Sequence, residues 1–105
     1  MISFPRAKIN IGLRIVRKRP DGFHDIETIF YPVPLCDALE FVRHPEKVKD
    51  DELTCTGIDI KTKQDKNLVI SAVRKLRNKF PVPFLKIHLH KATPAGAGLG
   101  GGSSD

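Results

Sequence analysis

A chain of 105 residues, 40% hydrophobic and 29% charged, has room for one small core and excludes a second. Eighteen Lys and Arg against twelve Asp and Glu leave a net charge of +6, which suits an anionic partner without choosing among nucleotide, nucleic acid and acidic membrane. No stretch approaches the ~20 apolar residues of a membrane span, the start MISFPRAKIN lacks the apolar run of a secretion signal, and Cys36 and Cys55 lack C-x-x-C spacing. Those features predict a cytoplasmic protein with no membrane partner, no metal centre and no disulfide framework, its thiols buried or half-buried.

In chain order, AKINIGLRIV comes first. Ala7, Ile9, Ile11, Leu13 and Ile15 alternate with Lys8, Asn10, Gly12 and Arg14, which predicts a strand with one buried face. The turn RPDG (Arg19 to Gly22) follows, with Pro20 presetting φ and Asp-Gly tolerating a tight reversal. HDIETIFYPV reads as a second strand closed by Pro32 and Pro34. ALEFVRH and ELTCTG are shorter strands on either side of the charged turn PEKVKDD.

NLVISAVRKLRNKF predicts a helix. Val69, Ala72, Val73, Leu76 and Phe80 share one face, Asp65 or Asn67 caps the start, and Pro81 stops it. FLKIHLHKA then alternates again, with Leu85, Ile87 and Leu89 opposite Lys86, His88 and His90. Strands joined by short turns, with a helix placed late, predict an α+β fold. His88 and His90 form an i, i+2 pair on a strand face, without a third ligand to make a metal site.

PAGAGLGGGSSD ends the sequence and holds five of its eight glycines. Glycines let consecutive backbone amides converge on an anion, and a following helix adds its positive end. A flexible linker is the bland alternative, but Leu99 embedded among the glycines and Pro94 at the strand exit argue against Gly-Ser monotony. No lysine follows the glycines as a P-loop requires. Gly96-x-Gly98-x-x-Gly101 satisfies the dinucleotide fingerprint, yet its confirming acid would lie past Asp105.

PAGAGLGGGSSD resembles the phosphate loop of the GHMP kinases. The triple glycine before Ser-Ser-Asp, with AKINIGLRI and RPDGFH ahead of it in order, narrows the resemblance to the branch of non-mevalonate isoprenoid precursor biosynthesis. The resemblance implies an α+β, two-domain fold with the active site in the cleft between the domains. Residues 1–105 would form part of the N-terminal domain, truncated at the ATP loop with the C-terminal domain absent, and would be inactive alone. It further implies ATP as phosphoryl donor with magnesium, and a small cytidine diphosphate substrate, 4-diphosphocytidyl-2-C-methyl-D-erythritol, phosphorylated at its 2-hydroxyl. No nucleic-acid partner is implied.

By the same resemblance Lys8 is catalytic and Asn10 contacts the substrate; by spacing alone both could be solvent-face residues of a strand. Phe23 would stack on the cytosine, where the family commonly has tyrosine, and His24 would bond the base edge. The alternative places Phe23 in the core and lets His24 merely start a strand. Phe30 and Tyr31 would line the substrate pocket. Pro94 and Ala95 open the implied ATP loop, Gly96, Ala97, Gly98 and Leu99 form its turn, and Gly100, Gly101 and Gly102 carry it to a helix starting near Gly102 or Ser103. Ser103 and Ser104 would reach a phosphate oxygen or magnesium, or cap that helix. Two rivals stay open: a GHMP kinase for another small alcohol, and a small basic nucleic-acid-binding module, for which no recognition signature is present.

Overall fold

A computed structural model describes residues 1–45, 47–58 and 67–105. Its elements in chain order are β1 (Ile2–Ser3), β2 (Arg6–Lys18), β3 (His24–Cys36), β4 (Ala38–Arg43), β5 (Glu52–Gly57), α1 (Leu68–Arg77), β6 (Leu85–Lys91) and α2 (Gly101–Ser104). Four strands form a sheet in the order β1-β4-β6-β5, while β2 and β3 form a separate two-stranded ribbon. β6 pairs antiparallel with β4 and parallel with β5, so α1 lies in the crossover of that parallel pair. The architecture is α+β.

Period-two burial makes the sheet's inner face. Leu39, Leu53, Ile87 and Leu89 meet Val69 and Ile70 of α1, with Phe41, Val73 and Leu85 packed around them. Ile70 carries this contact although the predicted helix face omitted it, while Ala72, Leu76 and Phe80 of that face are exposed. The helix meets the sheet through its first two turns, so its apolar C-terminal end overhangs the core. Asn67 caps α1, its Oδ1 accepting the Val69 N–H at 2.9 Å; Asp65, the other candidate cap, lies outside the described residues. Asn67→Ala should cost about 1 kcal/mol and lower the thermal midpoint by about 4–8 °C. An unchanged midpoint would assign the N-terminus of α1 to another cap.

The ribbon departs from its expected form in three ways. β3 runs on through Pro32 and Pro34 to Cys36, because each ribbon strand has a free edge on which a missing N–H costs no ladder bond. Second, only Ala7 of the predicted apolar face is buried; Ile9, Ile11, Leu13 and Ile15 are 39–62% exposed.

Third, the register shifts between Ile11 and Leu13 and again between Ile15 and Arg17. Each extra residue on β2 reverses the alternation, so Leu13 and Ile15 share a face with Lys8 and Asn10 rather than with Ile9 and Ile11. Gly12, at φ 66°, supplies the first bulge, and its carbonyl accepts the Thr28 hydroxyl at 2.6 Å. At the tip the Asp21 carboxylate accepts the Phe23 N–H at 3.0 Å and ion-pairs with Arg19. Cys36 is half-buried as expected, but Cys55 is exposed. The turn PEKVKDD includes Glu46, outside the described residues.

Candidate active site

The glycine loop leaves β6 at Lys91 and turns back to the foot of β2. Gly96, Gly98 and Gly100 have φ of 72°, 74° and 67°, a region that side chains rarely adopt. Gly100 is the left-handed cap of α2, which therefore begins at Gly101, slightly ahead of the expected start. Gly101 is buried; a Cβ there would lie 2.7 Å from Thr93 Cγ2 and 3.0 Å from Thr93 Cβ. At Gly100 the left-handed φ is the constraint, since a Cβ there would meet only the flexible Lys8 stem, Cε at 2.9 Å.

Lys8 anchors the loop by its carbonyl side. Its backbone N–H donates to the Leu99 carbonyl at 2.8 Å and its Nζ to the Gly98 carbonyl at 2.9 Å. The amides of residues 96–102 donate to no partner among the described residues. One side of the loop is thus held by a lysine while the other offers unpaired N–H groups, the arrangement of a backbone anion nest.

The same ammonium lies 3.4 Å from Asn10 Oδ1 and 5.3 Å from the centre of the Phe30 ring. Asn10 pairs with Phe30 and Lys8 with Pro32, so all four share one ribbon face. Tyr31 pairs with Ile9 and points to the opposite face.

Lys8, Asn10, Phe30 and the glycine loop are therefore brought together. Phe23 and His24 are not in contact with them: His24 pairs with Lys18, ten residues along the twice-bulged β2 from Lys8. By register His24 returns to the Lys8 face through the two bulges, and Phe23 is 70% exposed beside it. Pro94, Ala95, Ala97, Ser103 and Ser104 line the exposed rim of the loop.

Beneath the loop lies a cluster that the sequence reading missed. Lys91 Nζ ion-pairs with Asp37 and with Asp105, and the three side chains are 2%, 1% and 3% exposed. Burial pushes the Asp37 carboxyl up, but bonds from Lys91 and from the Thr93 and Ala92 amides hold it below the ordinary range. At Asp105 burial wins: Lys91 offsets it only in part, the charge of Asp37 adds to it, and the carboxyl sits above its ordinary value. Thr93 Oγ1 and Asp105 Oδ1 are buried without a hydrogen-bond partner among the described residues. On the outer face of the sheet, Thr56 Oγ1 lies 2.8 Å from His88 Nε2 and 2.9 Å from His90 Nδ1.

Comparison with known proteins gives the relatives of this chain. Residues 67–105 match the family described as the GHMP kinases N terminal domain. The whole chain is 56% identical to a Parabacteroides distasonis protein called 4-diphosphocytidyl-2-C-methyl-D-erythritol kinase, of which it covers 37%. A chloroplastic protein of that name from Oryza sativa subsp. japonica is 44% identical over 104 residues, 97% of this chain and 25% of the plant protein. A crystal structure of 4-(cytidine 5'-diphospho)-2C-methyl-D-erythritol kinase superposes with a TM-score of 0.74 at 32% identity, covering 99% of this chain and 36% of the other. The chain spans well under half the length of these relatives.

Proposed function

We propose that this chain is part of a GHMP kinase and carries the phosphate loop, lysine and cytidine-binding turn for one specific reaction. In that reaction the γ-phosphoryl group of ATP passes to the 2-hydroxyl of 4-diphosphocytidyl-2-C-methyl-D-erythritol, leaving ADP, in non-mevalonate isoprenoid precursor synthesis. The observation that carries the reading is the loop held by Lys8 at its carbonyls with the amides of residues 96–102 unpaired among the described residues. Phosphoryl transfer asks for positioning and charge stabilisation more than covalent chemistry, and such a nest supplies both to a triphosphate.

Lys8 sits where the nest meets the ribbon face, so its ammonium can lower the pKa of an incoming hydroxyl and neutralise charge on the transferred group. Asn10 orients the acceptor, and Phe30 walls the same face. Magnesium arrives with ATP; the exposed Ser103 and Ser104 hydroxyls at the rim are the groups that would meet it, and it would screen phosphate charge. At the ribbon tip Phe23 offers a ring face to the cytosine and His24 a ring nitrogen to its edge.

The test is a chimera in which residues 1–105 replace the matching segment of the Parabacteroides protein, assayed for ADP release with the cytidine substrate and with other small alcohols. Transfer confined to the cytidine substrate supports the proposal, and transfer to another alcohol overturns its substrate. His24→Ala in the chimera should weaken the cytidine substrate by about 1–3 kcal/mol, the cost of leaving a polar partner unpaired. ATP affinity should hardly change, because loop and tip come from different segments. Equal losses for both ligands would instead make His24 a support of the ribbon.

A further inference from the structure

We infer that Lys91 is a positioning residue for the glycine loop, latching the chain on both sides of it to one buried ammonium. The inference rests on reading the loop as the ATP site. On the entry side, Asp37 Oδ1 accepts the Ala92 N–H at 2.7 Å and the Thr93 N–H at 2.8 Å, immediately before Pro94. Asp37 Oδ2 is ion-paired with Lys91 Nζ. On the exit side, the same Nζ donates to Asp105 Oδ2 at 2.8 Å. The segment from Pro94 to Ser104 is thus closed at its base by one ammonium and two carboxylates.

Gly101 completes the latch. It seats its backbone directly on the floor, since a Cβ would come within 2.7 Å of Thr93 Cγ2 and 3.3 Å of Asp37 Oδ2. Lys91 touches none of the unpaired amides. It acts on them through the fixed ends of the loop, and ordered amides are what an anion nest requires.

The latch also has a charge asymmetry. Two carboxylates share one ammonium; Asp37 is satisfied on both oxygens, whereas Asp105 Oδ1 has no partner among the described residues. Asp105 is therefore the member whose charge the latch does not need. Asparagine there keeps an acceptor for Lys91 and removes the surplus negative charge beneath a loop that receives a polyanion.

The test uses the 105-residue chain, with ¹⁵N relaxation at residues 96–102 and in β4 and β6, and titration with magnesium-ATP and with CDP. Rigid loop amides have order parameters near 0.85, and Lys91→Met should drop them below about 0.6 while β4 and β6 hold theirs. The ATP dissociation constant should rise about tenfold or more and that for CDP should stay the same. Asp105→Asn should leave loop order intact and the ATP dissociation constant within about threefold of the parent. A folded Lys91→Met chain with an ordered loop overturns the latch. Should that variant lose its sheet signals, Asp105→Ala decides, since it keeps the Asp37–Lys91 pair: a loosened loop supports the latch and an ordered one overturns it. If Lys91→Met loosens the loop but ATP moves no loop signal in the parent chain, the latch stands and the ATP reading fails.

Discussion

Lys8→Ala, made in the chimera, should lower kcat by about 10²–10⁴-fold while the KM for ATP moves less than about tenfold. The split follows from where the ammonium sits. Its bond to the Gly98 carbonyl and its place beside Asn10 and Phe30 put it at the seam between the loop and that ribbon face, the proposed acceptor side. A group that neutralises charge only as the phosphoryl moves contributes to the transition state and little to the ground state. Lys8 also packs against Gly100, so truncation removes a contact as well as a charge. Lys8→Met separates the two by restoring the stem without the ammonium. Equal kcat losses for Met and Ala assign the effect to the charge. A Met variant near parental turnover would make Lys8 a packing residue of the loop.

The sheet was legible because its signal was simple. Leu85, Ile87 and Leu89 alternate with polar residues and each lands on the core, as does Leu53 of ELTCTG. The ribbon was less so, since alternation across Ile9, Ile11, Leu13 and Ile15 presumes an unbroken register. Two extra residues on β2 break it, and a bulge has no apolar signature beyond Gly12. β1 went unread because a two-residue strand carries no period, and it is held by main-chain pairing with β4.

For the site, the glycines permit the positive φ that Gly96, Gly98 and Gly100 adopt, but their spacing did not show that the loop's carbonyls would close on Lys8, which is a contact between residues ninety apart. The latch left one readable trace. Lys91 falls on the inward parity of Leu85, Ile87 and Leu89, where a lysine must find a buried partner. Its partners Asp37 and Asp105 lie 54 and 14 residues away, beyond the reach of any local pattern.

Arg77→Ala should have the largest effect on stability, although it lies at the opposite end of the sheet from the loop. Arg77 grips Asp51 with two nitrogens, at 2.7 and 2.9 Å, and donates to the carbonyls of Val82 and Pro83, each at 3.0 Å. Its guanidinium also lies 4.7 Å from the centre of the Phe84 ring. These contacts tie the end of α1 to the start of β5 and, through the Leu85 N–H on Asp51 Oδ1, to the start of β6. The Asp51 side chain is wholly buried, so removing Arg77 strands a carboxylate with a single donor.

Breaking such a pair costs about 3–5 kcal/mol; Arg77 is partly exposed, so about 3 kcal/mol is expected, a midpoint loss of about 12–24 °C. The pH dependence carries the mechanism. Burial raises the Asp51 carboxyl, but the Arg77 bond, the Leu85 amide and the charges of Arg77 and Arg74 hold it below its ordinary value of 3.8. Its stabilisation is therefore full above that value and is lost as pH falls through the folded-state pKa. In Arg77→Ala burial prevails, the carboxyl rises, and the folded chain favours the protonated acid. The difference between parent and variant should accordingly be widest near neutrality and shrink below about pH 4. Urea denaturation at neutral and acid pH measures both, with Arg77→Lys, which keeps charge but not the two-nitrogen grip, falling between. A loss below about 0.5 kcal/mol, or one independent of pH, would reduce the pair to a surface contact.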